Sequence, residues 1–401
     1  MPSPIGLVIR TAEDADWPAM VRLAATSFGS FRPREANDMW RTLIPADGVV
    51  VACDGGDVVG MAYYLDLRLT VPGGAVLPMA GVSWVCVAPT HRRRGVLREM
   101  FAELHGRMTQ SHYPIAGLEA SEGAIYGRFG YGQASVVETL RVDRRGAEFL
   151  DEVPDPGGVR IVAPVEHRDR IEEIYERWRV RTPGGLFTPR EMWDEVFGDR
   201  EVSRRGGGPL MALLHDDGFA LYRIHGDNVR KSVVVTKLAA VTDDAYVALW
   251  RALVGMDLMD AVTVDAPPGE LLPYLLTDAR RVGVTGREDG LWLRMLDVPA
   301  VLEARSYAAD ATLVLDVSDG LLGGGGRFAI KIRDGRARCE PSDAEPDVWS
   351  TLSVLGSLYL GQHRASAFAA ANRLRCSDSG VVALLDAAFA SDVPAELGFG
   401  F

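Results

Sequence analysis

The feature that most constrains this 401-residue chain is a strand that runs through a basic, glycine-ended loop into a helix. Residues 81–87 read as a strand, Ala88-Pro89 ends it, and His91-Arg92-Arg93-Arg94-Gly95 follows. Over residues 96–108, Leu97, Met100, Phe101, Leu104 and Met108 recur at helical spacing. Gly95 can take a backbone conformation closed to other residues, and the helix behind it offers unpaired N–H groups at the positive end of its dipole. That order of elements makes a cradle for a pyrophosphate. Arg92, Arg93, Arg94 and Arg98 add fixed positive charge. Ahead of the loop, Val85, Cys86 and Val87 can pair their backbone groups with an amide-bearing arm.

The rest of residues 1–152 fits an α/β unit around this segment. Residues 7–10 read as a strand. Asp16 is a good N-cap for a helix with Pro18 in its first turn and Trp17, Met20, Val21, Ala24 and Phe28 on its core face. Residues 49–53 and 58–65 flank Asp54-Gly55-Gly56-Asp57, a hairpin signal. Residues 115–120 form another strand, and residues 121–129 a short helix ended by Gly130. The stretch Val153-Pro154-Asp155-Pro156-Gly157-Gly158 marks a boundary. A central unit, residues 153–289, repeats the strand-then-helix opening but lacks the basic loop. A third, residues 290–401, has strands at 291–296, 311–317 and 328–333 and helices at 348–360, 365–374 and 381–389. Gly206-Gly207-Gly208 and the run at 323–326 read as surface loops.

Composition narrows the function classes. With 43 basic and 55 acidic residues the net charge is −12, which argues against nucleic acid as the main partner and favours cationic ones. No apolar run approaches the roughly 18 residues that cross a bilayer. The N-terminus lacks a secretory pattern, so a cytoplasmic protein is expected. Cys53, Cys86, Cys339 and Cys376 are scattered without a C-x-x-C pair, and no metal is expected.

Arg92-Arg93-Arg94-Gly95-Val96-Leu97 resembles the R-x-x-G-x-G/A signature of the GNAT superfamily of N-acetyltransferases, with Leu97 in place of the usual small residue. The run from Ala120 through Tyr126 to Gly130-Tyr131 resembles that superfamily's later A-x-x-x-Y-x-[KR]-x-G-[FY] helix. Along the whole chain the likeness narrows to the enhanced intracellular survival (Eis) family. It is carried also by Ile174-Tyr175-Glu176-Arg177-Trp178-Arg179, Asp289-Gly290-Leu291-Trp292-Leu293-Arg294, Leu355-Gly356-Ser357-Leu358-Tyr359-Leu360-Gly361 and the ending at Phe401. The resemblance implies an α/β (α+β) chain of two tandem GNAT-like domains with mixed sheets and a C-terminal α+β domain similar to sterol carrier proteins. It also implies acetyl-CoA as co-substrate and a homohexamer.

Acetyl transfer to an amine needs a base for the amine proton and an acid for the departing thiolate. Tyr126 is the candidate acid, with Tyr131 as rival. The resemblance implies that the C-terminal carboxylate, here on Phe401, is the base, and the aromatic ending Phe399-Gly400-Phe401 gives the terminus something to bury. By the same resemblance Ser83 and Trp84 border the thioester and acceptor pocket, Trp40 is a pocket wall, and Ser121 and Glu122 contact the cofactor. Where family members can carry acidic residues, this chain has Gly400 and Ser30. Cys86 has no histidine partner and Ser83 is not in G-x-S-x-G, so neither thiol nor serine nucleophile is expected. The expected activity is N-acetylation of cationic small-molecule amines, aminoglycosides first, through direct attack in a ternary complex. Lysine acetylation of peptides or proteins is the alternative, and a non-enzymatic lipid-binding or regulatory role the second alternative.

Overall fold

A computed structural model of the chain describes residues 6–29, 39–227 and 230–401. Ser30, one of the two acidic-to-neutral departures, lies outside the described residues. The chain divides into two compact units. One comprises residues 1–134, 291–391 and 399–401, the other residues 135–290 and 392–398.

The first unit is built on a seven-stranded sheet ordered Leu7–Thr11, Val49–Asp54, Asp57–Thr70, Val76–Val87, Ile115–Glu119, Leu291–Met295, Gly132–Gln133. Side chains alternate across a strand, so adjacent residues serve different cores. Val50, Ala52, Ala62 and Tyr64 face the helix Val96–Gln110 through Met100, Phe101 and Leu104. Val51, Cys53 and Met61 face the helix Trp17–Phe28 through Met20, Leu23 and Ala24. Gly60 lets the first of these helices lie close: a Cβ there would meet Met100 Sδ at 3.0 Å.

The same unit contains a five-stranded sheet ordered Arg336–Pro341, Gly326–Arg333, Ala311–Ser318, Val348–Thr351, Arg375–Cys376. Its helix Leu352–Leu358 lies directly on the first sheet. A Cβ on Gly132 would fall 1.7 Å from the Ser353 carbonyl, and one on Gly356 would fall 2.3 Å from that of Leu293. Arg294 donates to Asp319 Oδ2 at 2.7 Å and to the Phe129 carbonyl at 2.7 Å, with both charged side chains buried. Asp319 in turn accepts the Gly324 N–H at 2.8 Å, so the glycine run at 323–326 is a held loop. The expected helix at 348–360 begins instead as the strand Val348–Thr351, and the Thr351 side chain caps the helix that follows.

The sheets also divide the chain at other points than composition suggested. The strand Val136–Asp143, within the expected first domain, pairs with Ala261–Ala266 and Val282–Asp289 in the second unit's sheet. Leu291–Met295, expected to open the third domain, pairs with Ile115–Glu119 in the first unit's sheet. The Pro/Gly-rich stretch at 153–158 is a loop inside the second unit.

That second unit has the strand order Val282–Asp289, Val136–Asp143, Ala261–Ala266, Lys231–Ala240, Gly218–Gly226, Met211–His215, Arg160–Val162. Its parallel pair joins Ser232–Val235 to Ala261–Val264, and the helix Asp243–Val254 lies between the two strands in the chain. Here the Thr242 side chain caps the helix N-terminus, and Asp243 and Asp244 occupy its first turn. A capped, acidic helix end repels phosphate. Among the described residues no helix is long and apolar enough to cross a membrane, and no group of three or more side chains is placed to hold a metal ion.

Candidate active site

The site begins where two parallel strands part. Val76–Val87 pairs with Asp57–Thr70 along its whole length, but with Ile115–Glu119 only over Met79↔Ile115, Ala80↔Ala116 and Gly81↔Gly117. Beyond Gly81 the backbone on that side has no strand partner, and its N–H and C=O groups face a cleft. On the other side the register slips between Met61 and Tyr63, so Trp84 and Val85 together oppose Ala62. Trp84 sits at φ +50, a left-handed conformation that a tryptophan rarely adopts. Such a bulge ends regular pairing and re-aims side chains. The cleft, of about 420 Å³, is lined by residues 82–85, residues 118–121, one face of the helix Trp17–Phe28, Tyr126 and Phe401.

At one end stands the basic loop. Gly95 at φ +84 is the N-cap of Val96–Gln110, and no side chain caps that end. Arg93 is also left-handed at φ +64. Arg92, Arg93 and Arg94 are exposed, and Arg98 pairs with Glu99 at 3.0 Å. His91 fastens the loop: its Nε2 lies 3.0 Å from Asp54 Oδ2 on the neighbouring hairpin, and its Nδ1 lies 2.8 Å from Thr90 Oγ1. Val96 is buried and Leu97 packs against the same core, so the larger side chain at 97 is absorbed by the interior. An uncapped helix end, left-handed backbone and free arginines fit the pyrophosphate of coenzyme A, and the unpaired strand edge fits its amide-bearing arm.

Tyr126 ends the short helix Gly123–Tyr126, is 6% exposed, and turns into the cleft. Burial, then the charge of Glu122, push its phenol up to about 12. It therefore holds its proton at neutral pH. The rival Tyr131 is fully buried and lies 2.8 Å from His105 Nε2. His105 Nδ1 lies 2.6 Å from the Phe101 carbonyl, which can only accept, so Nδ1 carries the proton. Nε2 is then the acceptor and Tyr131 the donor. Burial, together with Arg294, takes His105 down to about 3 and keeps the ring neutral. Tyr131 is committed to this chain of bonds and does not line the cleft. Cys86 faces the core below the strand, where burial raises its thiol to about 12, so no thiolate forms.

The last residue reaches the same cleft. The Phe401 N–H donates to Glu119 Oε2 at 2.9 Å. Its ring lies over Gly81, where a Cβ would meet Phe401 Cε2 at 2.9 Å and Leu67 Cδ1 at 2.4 Å. Ser83, Trp84, Val85 and Ser121 line the cleft with Tyr126 and Phe401. Trp84 is braced by Trp17, stacked at 6.3 Å, and Tyr63 at 5.6 Å. Glu122 is the N-cap residue of the Tyr126 helix, just outside the lining. Val87 and Cys86 also stand off the lining. Trp40 departs from expectation. It is 9% exposed and is not among the residues that line the cleft. Sequence reasoning missed Glu119 and the wall formed by Val21, Ala24, Ala25 and Phe28. The helical periodicity of that wall was visible, but it pointed only to a core face.

Comparison with known proteins agrees with this geometry. Family models described as acetyltransferase (GNAT) domains match residues 8–134 and 184–295, and a sterol carrier protein domain matches residues 298–395. N-acetyltransferase Eis of Mycobacterium tuberculosis is 54% identical over 96% of this chain and 97% of its own. The crystal structure of Eis1 from Mycobacterium abscessus superposes with a TM-score of 0.86 at 29% identity, covering 98% of this chain and 100% of that one. A GCN5-related N-acetyltransferase from Anabaena variabilis shares the fold, with a TM-score of 0.84 at 18% identity over 98% and 99% of the two chains. Two GNAT domains, a sterol-carrier-like domain and a relative that matches from end to end place this chain in the Eis family of N-acetyltransferases.

Proposed function

We propose that the chain moves the acetyl group of acetyl-CoA to a primary amine of a cationic acceptor, an aminoglycoside in the first instance. The observation that carries this reading is the meeting of Tyr126 and the C-terminal residue Phe401 in one cleft, beside an unpaired strand edge. The donor supplies an activated thioester, and the loop at 92–95 with the uncapped helix end would hold its phosphates. Tyr126, neutral and buried, is the acid that protonates the departing thiolate. The terminal carboxylate of Phe401 is the base that takes the amine proton. Ser83, Trp84 and Phe28 form an acceptor wall of mixed character, and the Glu119 carboxylate attracts ammonium groups. By family resemblance the working assembly is a homohexamer, which sedimentation equilibrium tests.

The deciding experiment follows thiol release from acetyl-CoA by protein with an untagged C-terminus. Kanamycin, spermidine and a lysine peptide serve as acceptors, and each product is weighed by mass spectrometry. Acetylated kanamycin supports the reading. Turnover confined to the lysine peptide replaces it with protein acetylation. A single residue added beyond Phe401 is expected to slow turnover sharply while leaving acetyl-CoA binding intact.

A further inference from the structure

A free α-carboxylate ionises near pH 3.5 and is a weak base for an ammonium group at neutral pH. The surroundings of Phe401 bear on that difficulty. Its N–H donates to Glu119 Oε2 at 2.9 Å. The carboxylate of the same residue is two bonds from that nitrogen, so the two carboxylates lie within about 7 Å of each other. Gly400 permits the approach, since a Cβ there would fall 2.9 Å from Glu119 Oε2. No left-handed torsion demands glycine at this position; the close passage of the tail does.

The groups facing this pair offer no counter-charge. From the strand Val76–Val87 come Val82, Ser83, Trp84 and Val85, none of which ionises near neutral pH. The short helix Gly123–Tyr126 contributes Tyr126, and Glu122 sits at its N-cap. The helix Trp17–Phe28 presents Val21, Ala24, Ala25 and Phe28, none of which ionises. No lysine, arginine or histidine lines the cleft among the described residues. Glu119 lines the cleft and is exposed to solvent. Burial nonetheless raises its pKa, against the opposing bond from Phe401.

We infer that Glu119 and the terminal carboxylate of Phe401 act as one coupled pair, in which Glu119 docks the tail and its charge makes the terminal carboxylate a stronger base. Two like charges this close cannot both shed their protons as easily as one alone. In the step served, one N–H bond of the acceptor ammonium breaks and one O–H bond forms on the Phe401 carboxylate. The nitrogen keeps its electron pair for attack on the thioester, and nothing is oxidised or reduced. Glu119 is thus a positioning residue that works through Phe401. The inference rests on the reading of the C-terminus as base.

The test is the pH dependence of kcat/KM for the untagged full chain, with kanamycin and spermidine as probes. Glu119→Gln keeps an oxygen for the Phe401 N–H but removes the charge. Its acidic limb is expected to move down by about one pH unit, with about tenfold lower turnover at the plateau and unchanged KM for acetyl-CoA. Glu119→Ala should lose more activity and release Phe401 faster to carboxypeptidase. A limb in Glu119→Gln that coincides with that of the unaltered protein overturns the pair. A glycine added after Phe401 that leaves rate and profile unchanged overturns the base reading as well. An inactive extended chain beside an unmoved Glu119→Gln limb overturns the pair alone.

Discussion

Tyr131 donates a hydrogen bond from its hydroxyl to His105 Nε2 at 2.8 Å, and His105 Nδ1–H donates to the Phe101 carbonyl at 2.6 Å. This buried relay lies behind Tyr126, whose ring is 6.3 Å from that of Tyr131 and 6.2 Å from that of Phe101. It separates the two tyrosines by role: one is held in place and the other faces the cleft.

Tyr126→Phe should therefore lower kcat by about 10²-fold or more, the usual weight of a general acid, with acetyl-CoA affinity unchanged. Tyr131→Phe should instead cost about 1–3 kcal/mol of stability by orphaning His105 Nε2, with kcat nearly preserved well below the melting temperature. Steady-state kinetics beside thermal denaturation separate the two outcomes.

His105 carries a pH signature. Its folded value of about 3 lies below the ordinary 6.5, so the unfolded chain binds the extra proton between those values. Stability from this residue is full above pH 6.5 and falls as the pH drops toward 3, by an amount on the order of a few kcal/mol. Denaturant midpoints from pH 7 to 4 should decline less steeply in His105→Gln than in the unaltered protein, although the variant starts less stable.

The phosphate cradle makes a binding prediction. Arg93→Ala should weaken acetyl-CoA several-fold, on the scale of one exposed charge-assisted contact. Gly95→Ala meets no steric obstacle but is strained at φ +84, so it should weaken binding by displacing the loop. Titration calorimetry with coenzyme A measures both, and unchanged affinity in Arg93→Ala would contradict the cradle.

Gly81→Ala tests the docking of the tail. Its Cβ would press on Leu67 and on the Phe401 ring, so turnover should fall and carboxypeptidase should reach Phe401 more readily.

Within the second unit, residues 392–398 are held separately. Lys237 Nζ lies 2.5 Å from Glu396 Oε1 and 3.7 Å from the centre of the Trp178 ring, and Glu396 N–H donates to the Pro183 carbonyl at 2.9 Å. Lys237→Met leaves the Glu396 carboxylate half-buried without its cation and should cost about 2–4 kcal/mol, less in the double variant with Glu396→Gln. Hydrogen exchange at residues 395–398 reports the loosening.

The sequence by itself determined what depends on neighbours along the chain. The strand, the basic loop, Gly95 and the amphipathic helix behind it form a local pattern, and so does the short helix that carries Tyr126 to its Gly130 stop. The absence of a basic loop from the central unit was equally local and legible in the sequence. Only the tertiary structure decided the rest. The exchange of strands at Ser135 and Gly290, where Gly290 N–H meets the Ser135 carbonyl at 2.9 Å, joins segments far apart in sequence. The parting of the strands after Gly81, the burial of Trp40 and the seat of Phe401 on Glu119 are of the same kind. Pairing between distant residues is selected by packing of the whole chain, and the alternation or spacing within any one segment carries no record of its partner.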